Sequence, residues 1–140
     1  MLVPKKVKYR KWQTGRKNQK RKLIEAKGTD LDFGSFGLKS VEWKRVRSNQ
    51  IEAARKVISR AIGKTGKMWI RIFPDRPFTA KPAEVKLGKG KGDVQGYCFE
   101  VRPGRMLFEV DGVKAEDAKE GLRKAGAKLP VKTKIVQRAV

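Results

Sequence analysis

Apolar residues recur at helical spacing between residues 50 and 62, where Ile51, Ala54, Ile58, Ala61 and Ile62 fall on one stripe. Asn49 is placed to cap that helix, with Glu52 three residues on at nearly capping-box spacing. A second stripe, Ala115, Ala118, Leu122, Ala125 and Leu129, predicts a helix over 115–129 that starts among acids and stops at Pro130. Gly121 and Gly126 weaken it unless they permit close packing. Elsewhere the period is two. Residues 38–47, 68–73, 97–101, 106–110 and 131–136 alternate as strands. Met68, Ile70 and Ile72 alternate with Trp69, Arg71 and Phe73, so both faces are largely apolar, as in an interior strand. The RPGR run (102–105) between two strands predicts an antiparallel hairpin. The pattern as a whole gives an α+β class: an antiparallel or mixed sheet with two helices packed on it. It is divided into a basic N-terminal arm (1–22) and one domain (23–140).

The stretch 73–96 breaks both periods. Pro74, Pro77 and Pro82 come first, then Gly88, Gly90 and Gly92 alternate with Lys89 and Lys91, which suits neither a helix interior nor a central strand. It reads as a long projecting loop, stiffened by its prolines, with Phe73, Phe78, Val85 and Leu87 giving it some apolar grip. Glycine lets a backbone approach a partner closely and aim N–H groups at anions, while flanking ammonium groups neutralise them. Residues 81–91 carry four lysines (Lys81, Lys86, Lys89, Lys91) against Glu84, a local charge of +3. The expected ligand is phosphate; a mobile, solvated basic loop is the competing reading of the pattern alone. Nucleotide-binding motifs fail in detail, since GKGKG lacks the ending of a P-loop and the third glycine of GxGxxG, counted from Gly88, is Asp93.

Charge changes the picture most. The 140 residues hold 36 Lys and Arg against 14 Asp and Glu, a net charge of +22. Self-repulsion on that scale opposes compaction unless a polyanion offsets it, and nucleic acid is the obvious one. A membrane-surface role is weaker, with no long basic amphipathic helix bearing an aromatic face. There is no histidine, and Cys98 is the single cysteine. An intramolecular disulfide, a cysteine-based zinc cluster and the Ser/His and Cys/His nucleophile pairs are therefore excluded, and no cofactor is implied. Cys98, opposite in facing to Tyr97, Phe99 and Val101, reads as a structural thiol in a reducing, intracellular setting.

Residues 1–22 carry ten Lys and Arg and no acid, with Glu25 the first negative charge. A transit peptide is also acid-poor, but this segment lacks serine and opens with Pro4, so an RNA-binding arm is the preferred reading. Its candidate contacts are Lys5, Lys6, Lys8, Arg10 and Lys11, with Tyr9 and Trp12 able to stack on unpaired bases or to tuck against the domain. Arg45 and Arg47 share a strand face, and Arg55, Lys56 and Arg60 share the polar side of the first helix. Each group is a phosphate platform or solvated surface, and the local pattern does not separate the two. Five acids between residues 109 and 120 mark that region as the side facing away from a polyanion.

The motifs QIEAAR (50–55), WIRIFPD (69–75), KPAE (81–84), GKGKG (88–92), RPGR with FEVDGV (102–113) and KLPVKT (128–133), after the opening MLVPKKVKYRK and FGSFGLK (33–39), stand in one order along nearly the whole chain. In these the sequence resembles the family of bacterial large-subunit ribosomal protein sixteen. The resemblance implies an α+β domain bound to large-subunit rRNA near the aminoacyl-tRNA site and the peptidyl transferase centre. It further implies late entry into subunit assembly, a part in positioning tRNA, neighbouring ribosomal proteins as partners and a cytoplasmic location. No homo-oligomer is expected. The family commonly has RMGKGKG, with an arginine that some bacteria hydroxylate, whereas this chain has Lys86 and Leu87 before Gly88. Hydroxylation there is excluded, and a forked guanidinium contact becomes a point-charge one. Residues 13–22 are longer and richer in lysine than usual. Two other classes compete: a phosphate-handling enzyme built on the glycine and lysine loop, which lacks a visible metal or base site, and a general DNA-compacting protein, which fits the charge but not the shaped loop.

Overall fold

A computed structural model describes residues 1–13, 15, 24–82, 88 and 90–138. In chain order its elements are β1 (Phe36–Ser40), β2 (Lys44–Arg47), α1 (Ser48–Ile62), β3 (Lys67–Ile70), β4 (Arg76–Ala80), β5 (Asp93–Val101), β6 (Met106–Asp111), α2 (Ala115–Ala127) and β7 (Thr133–Gln137). All pairings are antiparallel, and they form two sheets, ordered β3-β6-β1-β7 and β2-β5-β4. The α+β class read from the sequence is what the chain adopts. The two helices pack on each other, α1 also reaching β2, β3 and β5, and α2 reaching β1, β6 and β7. Leu38, Val46, Ile51, Ile58, Val101, Leu107, Phe108 and Leu122 make the shared core. Each such side chain contributes about 1.5–3 kcal/mol by leaving water.

The apolar stripe of α1 is buried at Ile51, Ala54, Ile58 and Ile62, with Ala61 half-buried. Its cap differs. Arg47 holds the N-cap position and its N–H donates to Gln50 Oε1 at 2.8 Å, while Glu52 turns outward to Arg55 at 2.5 and 3.0 Å. α2 ends two residues earlier than its stripe, at Ala127, and β7 begins two residues later than the alternation suggests. Gly121 does permit close packing: a Cβ there would lie 2.8 Å from Ala61 Cβ, so its absence sets how near α1 and α2 approach.

Pairing departs further from the pattern. The 97–101 and 106–110 strands do not form a hairpin, because β5 pairs with β2 and β4 whereas β6 pairs with β1 and β3. The RPGR turn is taken by Ser40: Gly104 N donates to Ser40 O at 2.9 Å, Ser40 N to Arg105 O at 3.0 Å, and Ser40 Oγ to Arg102 O at 2.6 Å. The turn therefore passes the chain from one sheet to the other. Residues 38–47 are likewise divided between sheets, with the break at 41–43 held by Val41 N on Lys132 O and by Lys132 N on the Glu42 carboxylate, each at 2.9 Å. β3 is an edge strand, not an interior one. Its two apolar faces are used separately, Met68 and Ile70 against the core and Trp69 stacked on Phe33 with ring centroids 5.9 Å apart.

Glu109, one of the five acids read as facing away from a polyanion, is fully buried. One carboxylate oxygen accepts the backbone N–H groups of Asp32, Phe33 and Gly34 at 2.9, 3.0 and 3.1 Å, and the other pairs with Arg71 Nη1. Arg71 reaches Asp32 Oδ2 at 2.9 Å as well. Burial works against the guanidinium charge, but the Glu109 and Asp32 carboxylates outweigh it and hold the Arg71 pKa above its ordinary value. Glu116, Asp117 and Glu120 do lie exposed on α2.

Replacing Arg71 by Met leaves the Glu109 charge buried without its partner, which costs about 3–5 kcal/mol. The expected result is a fall in Tm of at least about 10 °C in a thermal melt, and an unchanged Tm would remove this pair from the account of the fold.

Candidate nucleic-acid interface

The stretch expected as one long loop contains a strand pair. β4 pairs with β5 from Arg76 opposite Cys98 to Ala80 opposite Asp93, with an irregularity between Phe78 and Thr79. Pro77 fits because β4 is an edge strand, where the missing N–H forfeits no ladder bond. Phe78 lies over Gly96, whose absent Cβ would sit 2.9 Å from the ring. Between the two strands lies a tip, of which residues 81, 82, 88 and 90–92 are described. There Lys81 is half-buried and Lys91 exposed, Gly92 lies close against the Ala80 backbone, and Gly88 and Gly90 are exposed with φ of 110° and 100° and open space beside them. Residues 83–87 and Lys89, and with them the candidate contacts Lys86 and Lys89, lie outside the described residues.

The N-terminal arm, over residues 1–13, is laid against this hairpin. Ser48 Oγ donates to Leu2 O at 2.6 Å where the arm passes the start of α1, and Leu2 packs on the core. At the other end Lys91 Nζ donates to Trp12 O, and Lys11 Nζ reaches Lys91 O at 3.4 Å. Arg76 donates to Gln13 O and stands over the Trp12 ring, 5.4 Å from its centroid. Two basic segments nearly eighty residues apart in sequence thus form one cationic ridge. Lys5, Lys6, Lys8, Tyr9, Arg10 and Trp12 are exposed on it, and Lys11 is half-buried.

The strand and helix cations are less uniform. Arg45 is half-buried, ion-paired with Glu100 at 3.3 Å, and Arg76 holds the same carboxylate at 3.0 Å. Two guanidinium groups from different strands thus converge on one carboxylate beside the arm. Arg47 is exposed, its guanidinium 4.5 Å from the Phe78 ring centroid. Arg55 is engaged by Glu52, and its hydrogen bond holds the Glu52 pKa below the ordinary carboxylate value. Lys56 and Arg60 are the exposed cations of α1. Arg76 and Phe78 organise the ridge, and reading their stretch as loop concealed them; the adjacent strand-favouring Phe78 and Thr79 were the available signal. Cys98 is buried, and burial raises its pKa against the pull of Arg45 and Arg76, as suits a structural thiol. Among the described residues there is no cluster of groups that could hold a metal ion, and no helix is long and apolar enough to cross a membrane.

The family model described as "Ribosomal protein L16p/L10e" matches residues 4–136. The chain is 54% identical over 138 residues to the large ribosomal subunit protein uL16 of Rhizobium rhizogenes, covering 99% of this chain and 98% of that one. Identity is 52% to the uL16 of a Chelativorans species and 54% to that of Sinorhizobium medicae, with the same coverage.

Arg76→Gln removes the stacking partner of Trp12 and the donor to Gln13 O. Chymotryptic cleavage after Trp12 is expected to speed about tenfold, the equivalent of one charge-assisted hydrogen bond. An unchanged rate would mean that Arg76 does not hold the arm in place.

Proposed function

This chain belongs to the ribosomal protein L16p/L10e family, and on that premise we propose that it is a constituent of the large ribosomal subunit which binds rRNA through the arm and hairpin ridge. Ribosomal proteins of this family are structural components, not enzymes, and neighbouring ribosomal proteins are its protein partners within the cytoplasmic ribosome. The observation that carries the reading is the joining of arm and tip at Lys91, Trp12 and Lys11, which collects cations from both ends of the fold on one side.

Lys5, Lys6, Lys8, Arg10 and Arg47 neutralise phosphates along the ridge, and release of counterions supplies the salt-dependent part of the affinity. At the tip the open space beside Gly88 and Gly90 lets the backbone approach RNA, with Lys86, Lys89 and Lys91 contacting phosphate. Lys86 acts there as a point charge. The tip borders the tRNA path near the aminoacyl site and the peptidyl transferase centre, and the chain helps to position tRNA and to complete subunit assembly. Lys56 and Arg60 anchor a second RNA helix on α1. Arg55 contributes less, since Glu52 already offsets its charge.

Changing Lys89 and Lys91 together to Glu is expected to lower the magnitude of the salt slope for rRNA binding by about 1.5–2 and to impair tRNA accommodation or subunit maturation. Sucrose-gradient profiles and translation rates check the latter, and normal values of both would refute the role given to the tip.

A further inference from the structure

Beside the arm is a cleft of about 160 Å³ lined by Lys6, Lys8, Tyr9, Trp12 and Asp75, among others. That is well below the roughly 300 Å³ of the smallest sites for drug-sized ligands, so it suits a single planar ring. Tyr9 and Trp12 offer aromatic surface, and Trp12 is backed by Arg76, which holds it as a ready platform. Lys6 and Lys8 are exposed at the same place and can neutralise the phosphates flanking an inserted base. Asp75 is the anomaly. It is exposed, follows the fully buried Pro74 that fixes the backbone, and makes no hydrogen bond or ion pair among the described residues.

A free carboxylate repels a nucleic-acid backbone, so at a phosphate-binding ridge it is counterproductive unless it meets donors. An ionised carboxylate is acceptor-only, with two oxygens able to take two parallel N–H bonds. Unpaired bases are read on their Watson–Crick edges. Guanine presents N1–H and N2–H there as adjacent donors. Adenine and cytosine present one donor beside an acceptor, and uracil one donor between two carbonyls. We propose that the cleft takes one unpaired guanine of the rRNA, stacked on Tyr9 and Trp12 and held by Asp75 through N1–H and N2–H. The proposal rests on the reading of the ridge as an rRNA surface and adds a base-specific contact to it.

The test is a footprint of large subunits assembled with the wild-type chain or with Asp75→Asn, using a dicarbonyl reagent that closes on guanine N1 and N2. The expected result is one guanine protected by the wild-type chain and exposed at least about tenfold more in the variant, the discrimination typical of a bidentate base contact, with other protections unchanged. Trp12→Ala should expose the same guanine. Loss of all ridge protections with the wild-type chain would overturn the rRNA reading itself. Intact ridge protections with no guanine that responds to Asp75 would overturn this proposal alone. So would an Asp75→Asn chain that binds RNA oligonucleotides more tightly with no change in base preference, since Asp75 would then be only a repulsive charge.

Discussion

A single buried carboxylate positions much of this molecule. Glu109 lies on β6, an interior strand of the four-stranded sheet, and gathers three backbone N–H groups from residues 32–34 with one oxygen and Arg71 with the other. Neither charge is tolerable inside without the other, so the segment entering β1 and the segment leaving β3 are fixed to the same point. From there the constraint travels outward. Arg71 O accepts Arg105 Nη2 at 3.0 Å, and Arg105 in turn approaches Glu25 at 3.9 Å. Pro74 is buried three residues beyond Arg71, and β4 begins two residues after that, so the departure of the hairpin from the domain is set close to this internal ion pair.

Whatever depended on local periodicity could be read directly. The stripe of α1 is buried at four of its five positions, Ala61 being half-buried, and the one conditional statement about α2 resolves in favour of close packing at Gly121, where Ala61 comes near. Partner choice could not be read. Nothing near RPGR reveals that Ser40, more than sixty residues earlier, will occupy the turn's hydrogen-bonding groups and send β5 and β6 to different sheets. Glu109 lies in a run whose residues from Met106 to Val110 are all buried, so alternation held no sign of which face would contain a charge.

The candidate interface divides in the same way. The exposed cations of the arm were legible from composition, because a segment with ten positive charges and no acid can hardly bury them. The state of Arg45 was not, since Glu100 stands 55 positions away and is brought opposite only by the pairing of β2 with β5. Of the prolines that suggested an unstructured excursion, Pro77 proves compatible with an edge strand, and β4 takes residues 76–80 out of that excursion. The order of motifs along the chain carried the family assignment, because it does not depend on which strands pair.

The seam between arm and hairpin tip also bears on biosynthesis. The groups that receive Lys11, Trp12 and Gln13 are made only when Arg76 and Lys91 follow, more than sixty residues later. Until then the arm is a polycation without these partners in a cell full of RNA. Closing so distant a contact carries the largest chain-entropy penalty in this part of the fold, so it forms after the local pairing of β4 with β5. The ridge therefore matures after the strand pair it rests on, and an RNA that engages it early takes the place of the intramolecular partner.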